Sequence, residues 1–171
     1  MGNCICIFLK LRDDEQEGWS MLLGGILHPE ILRGLGEAGH GAKILIADGN
    51  YPLATRSSGN SVRVYLNLAP GKVTVPDVLE AIIGCTPIEL AEVMTPDSGE
   101  EPSIFADFRR LLASSTTAMP VAGGPPDLAV LNRWDFYDAA SAPDVALAVS
   151  TGEQRVYANI LLTIGVRDPA S

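Results

Sequence analysis

Apolar positions change their period from one segment of this chain to the next, and those changes mark its elements. After Pro29, which suits the first turn of a helix, Ile31, Leu32, Leu35 and Ala38 fall on one helical face, and Gly39 can end it. Ile44-Leu45-Ile46-Ala47 is apolar without alternation, as in a strand covered on both faces, and Asp48-Gly49-Asn50-Tyr51-Pro52 closes it with turn residues. Val62 to Leu68 predicts a second strand, with Arg63, Tyr65 and Asn67 on one face. A helix from Pro76 through Ile83, a strand from Ile88 to Met94 and an amphipathic helix from Ser103 to Ala113 follow. Residues 114–127, rich in Ser, Thr, Gly and Pro, predict a loop. Leu128 to Leu131 is a short strand, followed by a helix through Trp134, Phe136 and Tyr137, and Val145–Ser150 and Val156–Ile164 predict two final strands. Strands alternating with helices predict an α/β fold: a three-layer α/β/α sandwich around a largely parallel, mixed sheet.

Composition narrows this picture. The 171 residues, 47% hydrophobic and 19% charged, suit one domain with a real core. Residues 1–20 stand apart: the charge run Arg12 to Glu17 has no apolar face and Met21 follows, so this segment reads as a leader before a single domain over 21–171. Twenty-one acidic against 12 basic side chains give a net charge of -9, which argues against nucleic acid or anionic membrane as a partner through bulk charge. Cys4, Cys6 and Cys85 make no disulfide framework and no zinc-like spacing, so no metal is expected. The run Ile5 to Leu9 is far too short to span a membrane, and a reducing, cytoplasmic compartment is the simplest assignment.

Few residues offer chemistry. Asp48 ends a buried strand, where open α/β sheets place ligand sites, although Asp-Gly-Asn equally makes a turn. His40 lies between Gly39 and Gly41, which leave its imidazole uncrowded; that side chain type suits proton transfer, and an exposed loop histidine is the plainer alternative. His28 is better placed to start the first helix beside Pro29. Tyr157-Ala158-Asn159 interrupts an apolar segment with neutral donors and acceptors, the chemistry that reads hydroxyl groups; a cross-strand pair on a sheet face would look the same. Arg133 could clamp a polyol or pair with a carboxylate, beside aromatic residues 134, 136 and 137 that suit packing. No phosphate loop, nucleophile elbow or Cys/His pairing is present.

Four segments in order resemble the ribose pyranase and fucose mutarotase family. They are Gly39-His40-Gly41, Ile46 to Pro52, Asn132-Arg133-Trp134-Asp135-Phe136-Tyr137, and Thr151-Gly152-Glu153 with Tyr157 to Leu162, spread over residues 21–166 or so. The resemblance implies that His40 is a proton donor, that Asp48, Arg133 and Tyr157, Ala158 and Asn159 contact sugar, and that no cofactor is needed. It also implies a ring of subunits, often a decamer, with sites at subunit boundaries and a free monosaccharide as substrate. Asn132 to Tyr137 and Asn50-Tyr51-Pro52 look fucose-type. Arg63 to Gly71 is closer to the ribose branch and lacks the Arg-x-Asp-Gly of the fucose branch. The expected activity is therefore mutarotation of L-fucose, with His40 and Asp48 handling protons. D-ribose pyranose–furanose conversion and a non-catalytic sugar-binding or transport-accessory role are the alternatives.

Overall fold

A computed structural model describes residue 22, residues 24–115 and residues 126–166. The expected leader 1–20, and residues 116–125 of the expected loop, lie outside the described residues. In chain order the elements are α1 (Pro29–Glu37), β1 (Lys43–Ala47), β2 (Val62–Tyr65), α2 (Val75–Ile83), β3 (Ile88–Met94), α3 (Ile104–Ser114), β4 (Leu128–Leu131), α4 (Arg133–Ala140), β5 (Val145–Ser150) and β6 (Ile160–Ile164).

Local chemistry explains where α1, α2 and α4 begin. His28 caps α1, its Nδ1 accepting from the Ile31 amide, with Pro29 next in line. Thr74 and Asp77 satisfy each other's backbone amides in a capping box at the start of α2. The Asn132 side chain accepts from the amides of Trp134 and Asp135 and starts α4. Gly34 weakens α1 as a helix but lets it approach the sheet closely: a Cβ there would stand 3.0 Å from Leu147 Cδ1.

The strands form one mixed six-stranded sheet in the order β2-β5-β1-β6-β3-β4. β2, β5 and β1 are parallel neighbours, as are β3 and β4, and β6 runs antiparallel between β1 and β3. Helices α1, α2 and α3 cover one face through Ile31, Leu79, Ile82, Phe105 and Phe108, packed on Ile44, Ile46, Val149 and Leu162. Phe136 and Ala140 of α4, with Tyr51 and Leu53, cover the other face over Leu45, Ala47, Ala148 and Leu161. This is the three-layer α/β architecture that the alternating pattern predicts. Among the described residues, no helix is long and apolar enough to cross a membrane.

Two strand expectations are corrected. The second strand stops at Tyr65 instead of Leu68, where the chain turns through Pro70 and closes an isolated bridge between Ala69 and Lys72. The last strand starts at Ile160 instead of Val156, so Tyr157-Ala158-Asn159 precede it in a loop and form no cross-strand pair. Several amides of that loop bond to side chains instead of a ladder. Glu153 Oε1 accepts from the amides of Gln154 and Arg155, Asp48 Oδ2 from that of Ala158, and Thr151 Oγ1 from that of Glu153. Tyr157 has a φ of +59°, outside any strand conformation.

Candidate active site

Parallel strands deliver the residues that follow them to one edge of the sheet, and β6, running the other way, delivers the residues that precede it to that same edge. Asp48 after β1, Arg133 after β4 and Tyr157 to Asn159 before β6 are thereby brought together across more than a hundred positions of sequence. The β1–β6 register, Ile46 opposite Ile160, sets Asp48 against this loop.

Asp48 is its centre, only 3% exposed. Its Oδ1 accepts from the Asn50 amide at 2.9 Å. Its Oδ2 accepts from the Ala158 amide at 3.2 Å and from Asn159 Nδ2 at 3.0 Å, while the Asp48 amide donates to Asn159 Oδ1 at 2.9 Å. Burial pushes the carboxyl above its ordinary value against the lowering pull of these donors. Arg133 Nη2 donates to Tyr157 Oη at 2.6 Å, with the guanidinium carbon 5.6 Å from the ring centroid. A left-handed tyrosine costs about 1–3 kcal/mol and persists only where its surroundings impose it.

Asp48, Arg133, Tyr157 and Asn159 line a cavity of about 350 Å³, together with Asn50, Tyr51, Met94, Tyr137 and Val156. That volume lies within the range that holds a small ligand. Ala158 is fully buried and takes part through its backbone amide. Asn50, Tyr51, Met94, Tyr137 and Val156 are cavity residues that the sequence does not single out as binding residues. Met94 ends β3, so the strand-end rule that singles out Asp48 applies to it equally. Tyr51 closes the Asp48 turn, with its hydroxyl donating to the Arg56 carbonyl at 2.7 Å and its ring edge-on to Tyr137.

His40 is not in this cavity. It precedes β1 and lies at the opposite edge of the sheet, exposed, with Nε2 3.0 Å from Glu89 Oε2. The five residues of β1 alone separate the two edges by about 13 Å. Within one copy of the chain, His40 and Asp48 cannot touch the same small molecule. Among the described residues, no cluster of three or more His, Cys, Asp or Glu side chains is placed to hold a metal ion.

The loop carrying Tyr157 is held at its base. The amide and hydroxyl of Thr151 both donate to the Ala47 carbonyl, and the Gly49 amide donates to the Glu153 carbonyl. Gly152 fits under the 69–72 turn because it has no side chain: a Cβ there would lie 2.4 Å from the Ala69 carbonyl oxygen. The buried Glu153 carboxylate receives the Arg155 guanidinium on both oxygens, and this holds its carboxyl below the ordinary glutamate value of 4.5. A carboxyl depressed in the folded state stabilises the fold above its unfolded value and loses that stabilisation as pH falls through the folded value. The melting temperature is therefore expected to fall as the medium is acidified below roughly pH 4.5. Thermal melts of Glu153→Gln should start lower and fall less steeply over that window; a parallel pair of curves would sink this assignment.

The sequence profile of the RbsD / FucU transport protein family matches residues 21–167, most of the chain. The chain belongs to that family. Among RbsD / FucU relatives it is 29% identical over 153 residues to a fucose mutarotase of Mus musculus, covering 84% of this chain and 92% of the relative. The crystal structure of the fucose mutarotase of Streptococcus pneumoniae in complex with L-fucose superposes with a TM-score of 0.66 at 29% identity, over 82% of this chain and 94% of that one. Bacillus subtilis RbsD complexed with D-ribose shares the fold, with a TM-score of 0.69 at 22% identity over 86% of this chain and all of that one.

Proposed function

We propose that this RbsD / FucU protein is a mutarotase that exchanges the anomers of a free monosaccharide, L-fucose foremost, by opening and closing the sugar ring. The observation that carries this reading is the buried carboxylate of Asp48 in a cavity whose other polar groups, on Asn50, Tyr51, Tyr137, Tyr157 and Asn159, are neutral, with the single cation Arg133 directed onto Tyr157. Such a site recognises hydroxyls by direction instead of charge. The similarity to fucose mutarotases supports the choice of sugar.

Ring opening removes the proton of the anomeric hydroxyl, breaks the bond between the anomeric carbon and the ring oxygen, and delivers a proton to that oxygen. Closure on the other carbonyl face reverses both transfers, so no atom is gained or lost. Asp48, its carboxyl raised above the ordinary value by burial, is the group for the anomeric hydroxyl, and Arg133, Tyr157 and Asn159 hold the remaining hydroxyls. The ring oxygen needs a second group, and His40 of another copy supplies it. One copy's carboxyl edge then meets the next copy's opposite edge, a head-to-tail contact of the kind that closes into rings, here a decamer. Leu68, Trp134 and Val156, 84%, 63% and 64% exposed around the carboxyl edge, support such a contact. The setting is cytoplasmic, in keeping with the free Cys85, and residues 21–171 form the catalytic domain behind a leader.

Saturation-transfer NMR on L-fucose and D-ribose tests the reading. Accelerated anomer exchange, faster for L-fucose, is expected. Faster conversion of D-ribose between pyranose and furanose would make the protein a pyranase, and saturable binding without acceleration would make it a sugar-binding protein.

A further inference from the structure

The apex of the β5–β6 loop is fastened differently from its base. Arg155 Nε and Nη2 donate to the two carboxylate oxygens of Glu153 at 3.0 and 2.9 Å. Nη1 of the same guanidinium reaches Oδ2 of Asp107, in the first turn of α3, at 2.8 Å. Two positions further on, Tyr157 bonds to Arg133 of α4, which packs on the other face of the sheet. The loop is therefore spanned between helices of both layers, and the left-handed Tyr157 is itself the second fastening, two positions after the first.

We propose that Asp107 and Arg155 are positioning residues, which tether the loop to α3 and so fix where Tyr157 and Arg133 stand at the mouth of the sugar cavity. The inference rests on the mutarotase reading and adds two residues that do not line the cavity. Arg155, already forked onto a buried carboxylate, presents its third nitrogen in a fixed direction, so the Asp107 bond orders little that is not ordered already. With that bond cut, the loop gains conformers in which Tyr157 is misplaced. Apparent sugar affinity then falls with the population of the competent conformer, while the rate at saturation, set by Asp48 and His40, is kept.

Asp107→Asn is the sharpest variant, because it leaves the Arg155–Glu153 fork intact. It also releases Arg110, whose Nη2 lies 3.3 Å from Asp107 Oδ1, so Arg110→Gln serves as the control. Salt supplies a second readout. A free sugar is uncharged, but the Arg155–Asp107 pair is 39% and 36% exposed and is screened by ions.

In the full-length protein, Asp107→Asn is expected to raise KM for L-fucose roughly three- to ten-fold with kcat changed by less than about two-fold. KM of the intact protein should rise with salt and that of the variant should not. Amide exchange across residues 154–158 should quicken, Asp107→Glu should recover part of the affinity, and Arg110→Gln should leave KM unmoved. A KM for Asp107→Asn within about two-fold of the intact value overturns the proposal, as does a fall in kcat in step with melting temperature. Should the intact protein neither bind nor exchange sugar, the mutarotase reading fails. Amide exchange then decides for the tether alone: quickened supports it, unchanged overturns it.

Discussion

Asp48→Asn is expected to slow anomer exchange by about 10²–10⁴-fold, the scale of one general acid–base group. The substitution keeps the volume of the side chain and removes its proton affinity, so it separates chemistry from packing. Asp48 accepts on both oxygens, from Asn50 on one and from Ala158 and Asn159 on the other. An amide retains one acceptor, and whichever way it turns, its NH₂ opposes a donor. Keeping the oxygen towards Ala158 and Asn159 leaves the Asn50 amide without its partner, a loss of about 1–3 kcal/mol if that amide finds no water. A modest drop in melting temperature should accompany the large loss of rate. Measured by saturation transfer at saturating L-fucose, a variant keeping more than about a third of the intact rate would remove Asp48 from the chemistry.

His40→Ala is expected to lose about as much, 10²–10⁴-fold, although His40 lies at the far edge of the sheet from the cavity. This follows only if each cavity is completed by a neighbouring copy, and mixing exposes it. In rings assembled from equal amounts of His40→Ala and Asp48→Asn chains, a boundary has an intact Asp48 on one side and an intact His40 on the other in about a quarter of cases. The mixture should therefore regain about a quarter of the intact rate from two nearly inactive proteins. Mixed oligomers, verified by mass, that stay inactive would show that the two residues do not share a site. A His40→Ala protein with undiminished exchange would exclude the histidine altogether.

The strands and helices were legible where one period prevailed over a whole segment. Ile44 to Ala47 reads as a doubly covered strand and is one, and Pro29 and His28 start α1 as their chemistry requires. Residues 156–159 misled because Val156 and Ala158 keep the two-residue alternation of a strand up to Ile160. What ends the strand is a set of long-range bonds, from Asp48, 110 positions away, to the Ala158 amide, and from Asp107 to Arg155. Periodicity carries no trace of partners so distant. Asp48 was legible through its place at a strand end, and the same rule extended to β3 would have found Met94. The separation of His40 from Asp48 was implicit in the sequence: the strand between them forces them to opposite edges, and only the resemblance to a family placed them in one site.

The reversed strand has a consequence for biosynthesis. Among the described strands β6 is the last in chain order, yet it lies between β1 and β3 and joins β2-β5-β1 to β3-β4. Until it emerges, a nascent chain holds two sheet fragments with open inner edges, β1 and β3, each an invitation to pair with the wrong strand. The sheet therefore closes late and through contacts remote in sequence, which slows folding relative to a sheet of neighbouring strands. Asp48 also meets Asn159 only at that moment, so the binding cavity and the finished sheet are completed in the same step.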